Sequence, residues 1–145
     1  MSKVYFSHIE KSASDETISV YSSILFEKLI TEEKISFEKT VPIKVHFGEK
    51  GNVTYNKPEY YDGIIDFLKS QGVETCYIET NVLYRGERTT KASHIKVALD
   101  HGFNQIPVVI ADGDSGKDSS EIQIDKKRFS VCKIGKEFSK FDQFI

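Results

Sequence analysis

Three short apolar runs, residues 41–47, 73–78 and 106–111, constrain this chain more than any other feature. Each is the length of a strand rather than a helix, and each is followed by a polar loop. The second and third are apolar almost throughout, the mark of strands buried on both faces. Between the runs lie segments of helical spacing. Pro58 opens the first of these, at the position where proline costs a helix least. Ile64, Ile65, Phe67 and Leu68 supply its apolar face, and Gly72 ends it, as a residue that tolerates the left-handed conformation. Residues 92–101 form the next helix, closed by Gly102. Alternating strands and helices of this kind predict a parallel sheet.

Toward the amino terminus, residues 4–9 read as a first strand, and Ser12 three residues before Asp15 reads as a helix cap. Ile18, Tyr21, Ile24 or Leu25, and Leu29 keep helical spacing to about residue 30. Residues 34–39 are polar and ambiguous. After the third apolar run, residues 121–125 and 129–134 alternate around the charged turn Asp125-Lys126-Lys127, which is a hairpin pattern. Residues 138–145 look like the start of an element with nothing after it. Either the chain belongs to a longer polypeptide or this tail packs back on the domain. The predicted fold is α/β: a mostly parallel, Rossmann-like sheet flanked by helices, with a C-terminal β-hairpin, in one domain spanning residues 1–145.

Charge narrows the partners. Twenty basic against 22 acidic residues leave a net charge of −2, with no overall drive toward nucleic acid or an anionic membrane. No window approaches the ~20 apolar residues that span a bilayer, and the amino terminus lacks the apolar stretch of a signal peptide. A soluble, cytoplasmic protein is expected. Cys76 and Cys132 are in neither a CxxC nor a zinc spacing. Both lie in strand-like runs and read as small buried residues in a reducing compartment.

In open parallel sheets, ligands bind beyond the carboxyl ends of the strands, where connections leave on opposite sides. Three loops leave such ends here, residues 48–57, 79–90 and 112–119. They hold Glu49, Asn52, Thr80, Asn81, Arg85, Arg88 and Asp112 as candidates for binding a substrate or anion. Lys44 and His46 are two residues apart in the strand before the first loop, on one sheet face at ~6.6 Å spacing. As a catalytic pair, His46 would move a proton and Lys44 would bind an anion. On an edge strand both would simply meet water.

Gly48 and Gly51 would allow an anion-binding nest of backbone amides or an ordinary tight loop. Tyr84-Arg85-Gly86-Glu87-Arg88 places two arginine forks suited to carboxylate or phosphate; its plainer reading is a solvated loop with an Arg–Glu pair. His94 and His101 stand ~10.5 Å apart along one helix face, too far to chelate one ion, so surface or capping roles are expected. Asp112-Gly113-Asp114 is a cation motif or a turn. No metal site is predicted.

The run from Ile43 to Tyr55, then Thr80-Asn81-Val82-Leu83-Tyr84-Arg85-Gly86, then His101-Gly102-Phe103 and Ile110-Ala111-Asp112-Gly113, occur in that order. In these motifs the chain resembles the DUF362 family of uncharacterised iron–sulfur center proteins. The resemblance implies an α/β catalytic or binding domain which, in longer members, accompanies a ferredoxin-like segment holding 4Fe-4S clusters through cysteines. A cluster of that type needs four such ligands, and two distant cysteines cannot supply them. The resemblance therefore implies the amino-terminal part of a longer protein, with no cofactor in this chain.

Two functions are expected on these grounds. In the first, the domain binds a small anionic substrate or cofactor between its loops in a redox-linked reaction. Lys44, Arg85 and Arg88 hold the anion, His46 moves a proton, and Asn52 and Asn81 orient the ligand. In the second, a non-catalytic module docks an electron-transfer protein. Convergence of His46, Arg85 and Asn81 in one pocket favours the first; their separation favours the second.

Overall fold

The computed structural model describes residues 3–145. In chain order the elements are α1 (Asp15–Glu33), β1 (Ile43–Lys44), a 3-10 turn (Pro58–Tyr61) running into α2 (Asp62–Ser70), β2 (Tyr77–Glu79), α3 (Lys91–Asp100), β3 (Val108–Ile110), β4 (Ser119–Gln123), β5 (Val131–Gly135) and a last 3-10 turn (Lys136–Lys140).

The three apolar runs pair as parallel neighbours in the order β1-β2-β3, with Ile43 opposite Tyr77 and Tyr77 opposite Val108. Pairing extends past the short strands. Val41 N–H donates to Glu74 O at 2.9 Å and Ala111 N–H to Glu79 O at 2.8 Å. β4 and β5 form a separate antiparallel hairpin, turned at Asp125 with φ 44°. Among the described strands the order never reverses. The crevice expected where connections leave on opposite sides therefore lacks its topological basis, since a sequential order steps in one direction only.

Burial follows the pleat. Ile43, Val45 and Phe47 are buried while Lys44 and His46 are exposed, as a period of two requires. Phe47 lies at the centre of the aromatic core, its ring 5.0 Å from Phe103, 5.5 Å from His94 and 6.2 Å from Tyr77. Ile65 and Leu68 of α2 complete one side. Helix α1 packs on α2 at Gly63, where a Cβ would meet Ser23 Cβ at 2.6 Å. Phe26 is the buried residue of α1, 8 % exposed.

Four expectations need correction. Residues 4–9 form no strand; they run extended beside α1, where Tyr5 donates to Glu33 at 2.5 Å. The α1 cap is Ser14 rather than Ser12, accepting from Thr17 N–H at 3.2 Å, because the first helical residue is Asp15 itself. Pro58 opens a 3-10 turn, and α2 proper starts at Asp62. Cys132 is exposed, since the hairpin covers little of its own surface; Cys76 is buried, which raises its thiol pKa.

The tail does pack back. Ile145 N–H donates to Pro42 O at 3.0 Å and Ile145 O accepts from Lys44 N–H at 2.8 Å, a parallel bridge on the outer edge of β1. Glu137 N–H likewise bonds Ala111 O at 2.9 Å, tying the last turn to the end of β3.

Candidate functional site

Two hydrogen-bonded clusters stand at the carboxyl ends of the parallel strands. The first joins the loops after β1 and β2. Arg88, 1 % exposed, donates through Nε to Glu49 Oε1 at 2.5 Å and through Nη2 to the Tyr84 hydroxyl at 2.6 Å. Tyr84 in turn donates to Glu49 at 2.5 Å. Burial pushes the Glu49 carboxyl upward, but the hydrogen bonds of Tyr84 and Arg88 outweigh it and hold the group below the usual range. The same bond to Glu49 raises the Tyr84 phenol.

His46 completes this cluster in an unusual setting. Gly48 N–H donates to Nδ1 at 3.1 Å, and Arg88 Nη2 stands 3.0 Å from Nε2. A guanidinium offers only donors. A neutral His46 therefore accepts from one neighbour and turns its own N–H toward the other. Gly48 holds the turn beside it with φ +80°, and a Cβ there would strike Tyr55 Cδ1 at 2.5 Å. Tyr55 is itself stacked on His101 at 4.5 Å, and His101 Nδ1 lies 2.7 Å from Phe47 O.

The second cluster joins β2 to β3. Asp112 Oδ1 accepts from the backbone and the side chain of Asn81, both at 2.9 Å, and Asn81 Nδ2 also donates to Gly113 O at 2.9 Å. Asn81 Oδ1 is buried with no partner among the described residues.

The remaining candidates scatter. Lys44 shares a sheet face with His46 yet leaves the cluster, donating to Glu79 Oε2 at 3.1 Å. It lines an apolar trough of about 590 Å³ with Ile122, Ile134, Phe138, Phe141 and Phe144. Asn52 accepts from Thr54 N–H and Oγ1, bracing its own loop. Thr80 N–H bonds the Glu79 carboxylate. Arg85 is exposed, with no partner among the described residues. The structure thus brings His46, Glu49 and Arg88 together, pairs Asn81 with Asp112, and leaves Lys44, Asn52, Thr80 and Arg85 outside both groups.

Sequence reasoning missed Tyr84 and misplaced His94. Tyr84 stands in the arginine loop, where no helical period turns it toward Arg88, so its spacing carried no signal. His94 was expected at the surface or as a cap; it is fully buried under Phe47, with neither ring nitrogen partnered among the described residues. Helical spacing aligned it with His101 but could not reveal which face the distant Phe47 would cover.

Burial, then the Arg88 charge, lower the His94 pKa to about 4, with Glu49 opposing. An unfolded histidine takes up its proton near 6.5. Stability is therefore complete above that value and falls as pH drops from about 6.5 toward 4, by up to roughly 3 kcal/mol. Denaturation midpoints across this window are expected to fall in the wild type and to stay flatter in His94→Phe. Equal slopes in the two proteins would refute this origin.

The cysteines do not fit an iron–sulfur cluster: Cys76 lies in the core and Cys132 on the exposed hairpin. Among the described residues, no three His, Cys, Asp or Glu side chains are grouped to hold a metal ion. None of the described helices is long and apolar enough to cross a membrane.

The chain belongs to the DUF362 family, described as a domain of unknown function, which matches residues 41–145. The match takes in both clusters, the hairpin and the tail, and leaves α1 outside. The chain is also similar to Merozoite surface protein P92 of Plasmodium falciparum (isolate 3D7), at 29 % identity over 116 residues. That similarity covers 80 % of this chain and only 14 % of the length of the curated protein. No solved structure matches.

Proposed function

We propose that the chain is a non-catalytic docking module whose loops after β1 and β2 receive an electron-transfer protein. The observation that carries this reading is the contrast between the loop interior and its tips. Inside, the contacts of Glu49, Tyr84, Arg88 and His46 with one another hold the two loops together. At the tips, Val53 of the first loop is 83 % exposed and Leu83 of the second fully so, and Arg85, two residues after Leu83, has no partner among the described residues. Apolar tips around a free arginine suit a partner with carboxylates around an apolar centre. The redox character of the partner rests on the iron–sulfur resemblance. We read the three parallel strands with α2 and α3 as the core of a Rossmann-like sheet that supports these loops.

Titration of the labelled chain with an acidic 4Fe-4S ferredoxin, followed by amide resonances, tests the reading. Salt-sensitive shifts are expected at Val53, Leu83 and Arg85, with Arg85→Glu weakening binding about tenfold, or 1.4 kcal/mol. Shifts scattered over the surface, or none, would refute it.

A second reading keeps a small anionic ligand at the rim. It is favoured by Arg88 Nη1, which has no hydrogen-bond partner among the described residues, and by Arg85 on the same loop. Here His46 and Lys44 would take the catalytic roles. Calorimetric titration with small carboxylates and phosphate separates the two, since an anion site binds them without the protein partner and loses affinity in Arg85→Ala.

A further inference from the structure

The turn of the β4–β5 hairpin holds an unbroken run of cations, Lys126-Lys127-Arg128, followed by Phe129. Every residue from Asp125 to Ser130 is exposed. Phe129 is 68 % exposed, lies outside the hydrophobic core and stacks on no ring among the described residues. The three cations make no side-chain hydrogen bond or ion pair among the described residues, not even with Asp125 at the head of the turn. An ion pair of the same hairpin, Lys133 with Glu121 at 3.3 Å, lies further down the strands.

Backbone bonds alone fix this tip. Asp125 takes φ 44°, and Ser130 O accepts from the N–H groups of Ile124 and Asp125 at 2.8 and 3.2 Å. Lys126 N–H closes the turn on Phe129 O at 2.9 Å. The hairpin is anchored at its other end, where Lys136 N–H meets Asp118 O at 3.0 Å and Glu137 N–H meets Ala111 O at 2.9 Å. The paired strands carry the turn roughly 15–20 Å from that anchor. The side chains of the tip are therefore free for a partner.

Charge decides which partner. The whole chain carries −2, so without these three cations the remainder carries −5. A nucleic acid strand needs phosphate contacts along a basic groove, which an acidic remainder does not offer. A flat anionic surface asks for cations at one point only, and a lipid interface also has an apolar place for the exposed ring. We infer that the hairpin tip docks on an anionic lipid surface. Lys126, Lys127 and Arg128 lie among the headgroups, and the Phe129 ring reaches the acyl boundary. The contact is peripheral and calls for no spanning helix, and none of the described helices is one. The overall charge that gives the chain no drive toward such a surface does not describe this tip.

The chain contains no tryptophan, so Phe129→Trp places a single reporter on the tip. Its emission is followed with vesicles of phosphatidylcholine alone and with added phosphatidylserine, beside co-sedimentation of the wild-type chain. Binding is expected only to the mixed vesicles, with a blue-shifted emission and release by salt. The double variant Lys127→Glu, Arg128→Glu is expected to bind about tenfold more weakly. Phe129→Ser is expected to bind more weakly at unchanged charge, and both variants keep the wild-type thermal midpoint because the turn rests on backbone bonds. Equal binding to neutral vesicles, binding to neither, or wild-type binding by the charge-reversed variant would overturn the inference. So would an unshifted emission from vesicle-bound chain, or tighter binding to a single-stranded oligonucleotide, which would assign the tip to nucleic acid.

Discussion

Replacing Phe47 by alanine is expected to lower the unfolding free energy by about 3–5 kcal/mol, the range for deleting a buried aromatic ring. Phe47 has no exposed surface and meets Tyr77, His94 and Phe103 edge to face. Each such pair adds about 0.5–1.5 kcal/mol beyond the area it buries. The ring also joins β1 to β2, α3 and the segment after α3, so few neighbours can move into the hole. Phe47→Leu keeps most of the volume and should cost well under half as much. Urea denaturation with an unchanged slope measures both. A loss below 1 kcal/mol in the alanine variant would show that the core around this ring relaxes freely.

Breaking the Arg88–Glu49 pair is the second large effect, and its two halves should differ. Removing one partner of a buried ion pair costs about 3–5 kcal/mol, because the other charge stays behind without its partner. Glu49 is 26 % exposed on its side chain, so in Arg88→Ala the orphaned carboxylate can reach water. Arg88 is 1 % exposed and cannot shed its proton. Glu49→Ala is therefore expected toward the top of the range and Arg88→Ala toward the bottom. The reverse order, or losses under 1 kcal/mol in both, would mean that the loops are held by something other than this pair.

The parts of the fold legible in the sequence were those where local pattern and burial coincide. The runs around Ile43, Tyr77 and Val109 are apolar because they are covered, and they pair in parallel as expected. The hairpin was legible from its alternation and its turn at Asp125. Residues 4–9 show the limit of that signal, since alternation reports which side chains share a face and says nothing about a partner strand. Arg88 shows another. Two arginines around Gly86 look alike in sequence, yet one is buried because Glu49, from a different loop, neutralises it, while Arg85 meets no such carboxylate among the described residues. Lys44 and His46 share a face as predicted, but Glu79 draws one away and Arg88 holds the other. Side-chain fates of this kind depend on long-range partners, which spacing along the chain does not encode.

The bridge of Ile145 to β1 also bears on how the molecule assembles. The β1-β2-β3 sheet is built from neighbours in sequence, so each ladder closes a modest loop. The bonds of Ile145 to Pro42 and Lys44 instead join the two ends of the family-matched segment, and the entropy of closing a loop grows with its length. That clasp should form after the sheet and open before it. Substitutions at the tail are then expected to hasten unfolding while leaving the folding rate nearly unchanged. The lifetime of the native state would be set at the Ile145 clasp, and its speed of formation by the three apolar runs.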